Sequence, residues 1–150
     1  MAPRRRYVVD TNLYVDALRT EDGRRALDDF QSAFAPFLHL SAVVAQELRA
    51  GVAPQAGPKF EAAMFGPFER RERVITPSYA AWIDTGRVLA ELVAPSQWRS
   101  VTRSFMNDVL LAMSCREAGA ILVTGNTRDF ARIASVRKFE FVPPWPRWLR

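Results

Sequence analysis

The hydrophobic residues of the chain follow two alternating patterns, short apolar runs and longer stretches with helical spacing. Compact apolar runs, typical of strands buried on both faces, occur at 7–9, 37–40, 74–75, 120–124 and 139–142. Between them, apolar residues recur three and four positions apart, which predicts helices over 12–18, 24–35, 42–50, 59–73, 79–93, 105–118 and 129–134. Helices that alternate with single short strands predict a three-layer α/β/α domain around a mostly parallel sheet.

Turn-forming and capping residues set the expected boundaries. A charged turn is predicted at 21–23, and loops are predicted at 54–58 and 94–104. Gly66 and Pro67 should split the helix over 59–73. Ser41 is a candidate N-cap, with Gly51 ending the same helix. The sequence shows no internal repeat, so we expect one domain over 1–150, with a basic arm at 1–6 and a proline-rich tail at 143–150.

Length and composition exclude several classes of protein. The chain has 150 residues, 49% of them hydrophobic and 25% charged, which is the balance of one globular domain. No apolar run is long enough to span a membrane, and the N-terminus lacks the apolar segment of a secretory signal. One cysteine, Cys115, and one histidine, His39, exclude an internal disulfide and a His- or Cys-based metal site. We therefore expect a soluble, cytoplasmic domain, with His39 in a structural role.

The formal net charge of +5 comes from the two ends of the chain. Without five terminal arginines the remainder holds 16 basic and 16 acidic residues. The five are Arg4, Arg5, Arg6, Arg147 and Arg150. Arginine suits phosphate contacts, so the charge permits a nucleic-acid partner without requiring one.

Two acidic residues follow predicted strands. Asp10 comes directly after the strand at 7–9, and Asn126 and Asp129 come just after the strand at 120–124. In a parallel sheet the carboxyl ends of the strands lie at one edge, where ligands bind. We therefore expect these side chains to lie close together.

Two further carboxylates lie on helical faces that should contact protein. Asp108 shares its face with Leu111 and Ala112, and Glu47 follows Val44 by one turn. A carboxylate on such a face is costly unless an arginine or a metal compensates it. Four carboxylates with no histidine or cysteine suit Mg²⁺ or Mn²⁺, and such sites are typical of phosphoryl transfer.

Each acid also has a plain structural interpretation. Asp10 or Asp129 would serve as the cap of the helix that follows it. Asp108 would complement a helix dipole, and Glu47 would pair with Arg49 or with a neighbouring helix. The sequence alone leaves these alternatives open for each residue, although a coincidence of all four at one edge is harder to explain.

Four segments together resemble PIN-domain ribonucleases, and in particular the VapC-type toxins of bacterial toxin–antitoxin pairs. They are similar to the family's motifs in order from 7 to about 142, and the last two, joined by an apolar helix, Gly119 and a strand, are the most specific. The segments are V-V-D-T-N at 8–12, S-A-V-V-A-Q-E-L at 41–48, N-D-V-L-L-A at 107–112 and T-G-N-T-R-D-F at 124–130.

The resemblance implies a sheet of about five parallel strands and an endoribonuclease that requires Mg²⁺ or Mn²⁺. It implies Asp10, Glu47 and Asp108 as metal ligands and Asp129 as the residue that completes the acidic pocket. It also implies a homodimer and a small antitoxin protein that covers the active-site groove. The residues implied to orient the ligands or a water are Thr11, Asn12, Thr124 and Asn126.

The resulting hypothesis is hydrolysis of single-stranded RNA, leaving 5′-phosphate and 3′-hydroxyl ends. Arg128 is the candidate contact for the substrate or for an antitoxin, while Trp98 and Phe105 are assigned to packing in preference to base stacking. The alternative is an RNA-binding or regulatory module of the same shape without catalysis. A dinucleotide-binding enzyme is disfavoured because no G-x-G-x-x-G loop follows a strand.

Overall fold

A computed structural model describes residues 5–147 and contains a five-stranded sheet in which every neighbouring pair is parallel. The strand order is β3-β2-β1-β4-β5. This arrangement confirms the predicted fold class. The strands are β1 (Arg6–Val9), β2 (Leu38–Ser41), β3 (Val74–Ile75), β4 (Ala120–Val123) and β5 (Phe141–Val142).

Helices connect the strands and cover the sheet on both faces. The central strands β1 and β4 pair over four residues, and Val8, Val9, Leu122 and Val123 at their centre are almost completely buried. Strands of a parallel sheet need helices on both faces, which explains their unbroken apolar sequences. The helices are α1 (Thr11–Arg19), α2 (Glu21–Phe34), α3 (Ala42–Ala50), α4 (Gly57–Met64), α5 (Gly66–Arg70), α6 (Tyr79–Leu92), α7 (Arg103–Ala118) and α8 (Thr127–Val136).

Capping groups position the two helices that carry interior acids. Ser41 accepts a hydrogen bond from the backbone N–H of Val43 at the start of α3. Thr102 accepts one from the backbone N–H of Phe105 at the start of α7. Gly119 ends α7 with φ at 64°, a left-handed conformation that favours glycine. The polypeptide therefore turns from α7 directly into β4.

The structure corrects several predicted boundaries. The expected turn at 21–23 is instead the first turn of α2. The Thr20 hydroxyl caps this helix by accepting a hydrogen bond from the Gly23 N–H, and the charges of Glu21 and Asp22 are favourable at a helix N-terminus. The expected loop at 94–104 contains a 3₁₀ segment at Pro95–Ser100 and the start of α7.

The expected arm and tail also differ from the structure where residues are described. Arg6 belongs to β1 and pairs with Ala120, so the arm is shorter than 1–6. Within the expected tail, Trp145 packs on Phe30 of α2, with ring centroids 5.2 Å apart. Residues 1–4 and 148–150, which complete the predicted arm and tail, lie outside the described residues. Across residues 5–147 no helix has the length and hydropathy needed to cross a bilayer.

Candidate active site

The candidate site lies where the direction of the chain's connections reverses. From β1 the chain leads to β2 on one side, whereas from β4 it leads to β5 on the other. Such a switch point opens a crevice at the carboxyl ends of the two central strands. Asp10 follows β1 there and Thr124 follows β4, and the two side chains are hydrogen bonded across the crevice.

Asp10 is 4% exposed, and both of its carboxylate oxygens accept hydrogen bonds. The Thr11 N–H donates to Oδ1 at 2.7 Å, and the Thr124 hydroxyl donates to Oδ2 at 2.8 Å. Asp10 is also the N-cap of α1, so the predicted capping role is confirmed, and the same residue belongs to the candidate site. Burial raises the pKa of Asp10 and the charge of Glu47 raises it further, while the hydrogen bonds from Thr124 and Thr11 act in the opposite direction.

Glu47 is connected to the site through Thr11, the residue that follows Asp10. The Thr11 hydroxyl donates to Glu47 Oε1 at 2.8 Å, which links the first turn of α1 to α3. The predicted pairing of Glu47 with Arg49 is wrong, because Arg49 forms its ion pair with Glu61 of α4, 2.5 Å away. The alternative, a contact of Glu47 with a neighbouring helix, is confirmed by the hydrogen bond from Thr11 of α1.

Asp108 lies in α7 beyond the first helical turn, which contains no acid. The helix-dipole interpretation of Asp108 is therefore wrong, since the dipole acts mainly on the first turn. Burial, and then the charges of Asp10, Glu47 and Asp129 in that order, together raise the pKa of Asp108 to about 7. Carboxylates from four separate elements thus act on one another electrostatically.

Asp129 is connected to Asp10 through two intermediate residues. The Asn126 side-chain amide donates to Asp129 Oδ2 at 3.0 Å, and the Asn126 backbone N–H donates to the Thr124 hydroxyl at 3.0 Å. That hydroxyl in turn donates to Asp10. Asp129 also lies in the first turn of α8, where a negative charge is favourable. The interpretation of Asp129 as the cap of this helix is wrong, because the N-cap of α8 is Asn126.

The charge of these four acids, hereafter the carboxylate group (Asp10, Glu47, Asp108 and Asp129), is not balanced by the protein. Five ion pairs occur within residues 5–147, and none of them includes a member of the group. In the same residues no three His, Cys, Asp or Glu side chains are close enough to form an assembled ligand set. The four acids are neighbours that influence one another across a crevice.

The other predicted residues have different positions. Asn12 is exposed and makes none of the described hydrogen bonds to the carboxylate group, unlike Thr11, Thr124 and Asn126. Arg128 is exposed on α8 next to Asp129. His39 lies in β2, and its Nδ1 is within hydrogen-bond distance of the Phe37 carbonyl oxygen, at 3.0 Å.

Cys115 lies close enough to Asp10 for the charge of Asp10 to affect its pKa, a position near the site that was not predicted from the sequence. Burial, and to a smaller extent the charge of Asp10, raises the pKa of the Cys115 thiol to about 12. The thiol is therefore neutral at physiological pH and forms part of the apolar support of the site. The signal available in the sequence was its position one helical turn after Leu111 and Ala112, on the face that also carries Asp108.

Comparison with known proteins matches the chain to a family model described as the PIN domain, over residues 7–136. The chain is similar to the tRNA(fMet)-specific endonuclease VapC of Shigella flexneri, with 28% identity over 134 residues, covering 88% of this chain and 95% of that protein.

Two solved structures share the fold. A DNA-bound VapBC from Salmonella typhimurium matches with a TM-score of 0.65 and 21% identity, covering 93% of this chain and 98% of the other. VapBC2 from Rickettsia felis, bound to a DNA fragment from its promoter, matches with a TM-score of 0.60 and 22% identity, again covering 93% and 98%.

Proposed function

The chain belongs to the PIN-domain family, and on that premise we propose that it is a metal-dependent endoribonuclease that cleaves single-stranded RNA. The observation that carries the proposal is the carboxylate group at the switch point of the sheet. Its members come from distant parts of the sequence and are connected by hydrogen bonds and mutual repulsion. No purely structural requirement calls for four unpaired acids beside a crevice.

The chemistry of the donor set fits Mg²⁺ or Mn²⁺. All donors are oxygen atoms, which these hard cations prefer. Asp10 and Asp108 have raised pKa values, and no arginine or lysine among the described residues forms an ion pair with the group. A divalent cation would relieve that repulsion, and we assign Asp10, Glu47, Asp108 and Asp129 as the residues that would hold it. When bound, it supplies the positive charge that polarises a phosphodiester.

The surrounding residues of the chain orient the carboxylates. Thr124 fixes Oδ2 of Asp10, and Thr11 fixes Oε1 of Glu47. Asn126 holds Asp129 through its amide. Because each hydroxyl or amide donates to a carboxylate oxygen, it favours the ionised form and limits the rotation of that side chain. Arg128, beside Asp129, is assigned to contact the substrate.

The biological context we propose is that of a toxin. The Shigella flexneri relative is an endonuclease by name, and the similar structures are VapBC assemblies. By analogy, we propose that this chain forms a homodimer, that a small cognate antitoxin binds it, and that it acts on cytoplasmic RNA.

Cleavage of a mixed-sequence, unstructured RNA by the purified protein tests the proposal. We expect cleavage with Mg²⁺ or Mn²⁺, none with EDTA, and 5′-phosphate and 3′-hydroxyl ends. Asp10→Asn should abolish cleavage and retain the folded state, whereas Asp28→Asn, an exposed position on α2, should cleave normally. Cleavage by Asp10→Asn at the wild-type rate would refute the assignment of the site. Metal-independent RNA binding without cleavage would support the alternative, a non-catalytic module.

A further inference from the structure

Arg132 of α8 is an exposed arginine that is nevertheless held in place by two other helices. Its guanidinium lies over the ring of Phe105 in α7, 5.2 Å from the ring centroid. Its Nη2 also donates to the Leu92 carbonyl at the end of α6, at 3.2 Å. An arginine fixed in this way loses less side-chain entropy when it binds a ligand than a free one does.

The position of this pair relates it to the carboxylate group. Phe105 precedes Asp108 by three residues on α7, and Arg132 follows Asp129 by three residues on α8. Residues three apart share a helix face and lie about one turn from each other. The ring and the guanidinium therefore lie in contact with each other, about one helical turn from Asp108 and from Asp129.

Arg132 also retains most of its hydrogen-bonding capacity. A guanidinium has five N–H donors, and the structure shows one of them donating to Leu92. None of the ion pairs within residues 5–147 includes Arg132. Arg128 lies four residues earlier on the same face of α8, so the two arginines form a row that leads towards the carboxylate group.

We propose that Arg132, supported by the Phe105 ring, binds a backbone phosphate of the RNA strand next to the phosphate that is cleaved. The inference rests on the proposed ribonuclease function, since it names how that site holds its substrate. Negative carboxylates repel an RNA strand, and a fixed guanidinium beside them supplies the opposite charge and a bidentate phosphate contact. Phe105 then acts as a support for Arg132, because the guanidinium occupies one face of its ring.

Two measurements on the same variants test this assignment. The first is the affinity for a fluorescein-labelled, unstructured RNA in an Asp10→Asn background, measured by anisotropy over a series of salt concentrations. The second is the steady-state cleavage of the same RNA without the Asp10 substitution. The variants are Arg132→Ala, Arg132→Lys and Phe105→Leu, and Arg25→Ala on α2 is the control that removes an equal charge elsewhere.

For Arg132→Ala we expect binding weaker by about three- to tenfold and a salt dependence whose slope falls by about 0.7, the value for one phosphate contact on a single strand. KM should rise by a similar factor while kcat changes by less than about twofold. Arg132→Lys should keep the salt slope and lose part of the affinity, because it retains the charge without the planar donors. Phe105→Leu should also keep the salt slope and lose part of the affinity. Arg25→Ala should have the affinity and salt slope of the wild type.

An unchanged affinity and salt slope in Arg132→Ala would overturn the proposal. A loss equal to that of Arg25→Ala would also overturn it, since it would reflect net charge alone. A fall in kcat with unchanged KM and a lower melting temperature would mean that Arg132 only holds the helices together. If the wild type binds this RNA but does not cleave it, the ribonuclease proposal fails while the affinity measurements still decide the role of Arg132.

Discussion

Replacing Asp108 with asparagine is expected to stabilise the metal-free protein while it removes RNA cleavage. Asp108 carries a charge that burial and three neighbouring carboxylates make unfavourable. Asparagine has nearly the same shape and no charge, so the substitution removes the repulsion and keeps the packing of α7. The same change removes a proposed metal ligand, which is why activity and stability should move in opposite directions.

The pKa of Asp108 gives the size of the effect. A pKa of about 7 in place of the ordinary 3.8 would correspond to about 4 kcal/mol at full strength. Asp108 is partly exposed, and water screens its charge, so we expect about 1–2 kcal/mol. For a chain of this length that difference raises the melting temperature by about 5 °C.

The sign of the pH dependence follows from the direction of the change. Because the folded state raises the pKa of Asp108, the folded protein binds this proton more tightly than the unfolded chain does. Below pH 3.8 the carboxyl is protonated in both states, and the penalty develops as the pH rises towards about 7. The stability gain of Asp108→Asn should therefore be small near pH 4 and complete at pH 8.

Thermal unfolding in EDTA at several pH values measures this gain, and Asp28→Asn serves as an exposed control on α2. Addition of Mg²⁺ should raise the melting temperature of the wild type more than that of Asp108→Asn, because a ligand of the folded state stabilises it. A melting temperature of Asp108→Asn equal to or below that of the wild type at pH 8 in EDTA would refute the reasoning.

Substitutions at three other positions test individual features of the structure. Thr124→Val removes the hydroxyl that lowers the pKa of Asp10, so the acidic limb of the pH profile of kcat/KM should move to higher pH. An acidic limb at the same pH as in the wild type would show that this hydrogen bond does not affect the reaction. Gly119→Ala should destabilise the fold by about 1–2 kcal/mol in urea unfolding because of its positive φ, and Gly119→Asn should cost less. Ser78→Ala should cost about 1 kcal/mol as a lost N-cap of α6. Ser78→Asp, ordinarily a good cap, should be destabilised relative to the wild type more at pH 8 than at pH 4, because its carboxylate would meet Glu117, which now accepts hydrogen bonds from Ser78.

The parallel sheet and most helices were predictable because their sequence patterns are strong. The prediction of α3 at 42–50 is confirmed at both ends, since Ser41 and Gly51 mark them in the sequence. The start of α2 was not predictable from hydrophobic spacing, because its first turn is entirely polar or glycine and depends on the Thr20 cap. The start of α7 was missed for the same reason, with Thr102 as the cap.

The positions of Asp10 and Asp129 followed from strand ends, and those of Glu47 and Asp108 followed from apolar helix faces, but the contacts within the carboxylate group did not follow from the sequence. Sequence placed Asp10 and Asp129 near one edge of the sheet, and the structure joins them through Thr124 and Asn126. The exposed position of Asn12 depends on which side of α1 faces the crevice, and the apolar pattern of so short a helix specifies this only loosely.

The crevice draws its acids from both halves of the polypeptide. Asp10 and Glu47 precede the end of β3 at Ile75, whereas Asp108 and Asp129 follow it, and the halves meet where β1 pairs with β4. A fragment that ends or begins at Ile75 therefore contains only two of the four acids and cannot form the pairing of β1 with β4. Under the proposed function, the nascent polypeptide should not cleave RNA until β4 has paired with β1 and α8, which carries Asp129, has also left the ribosome.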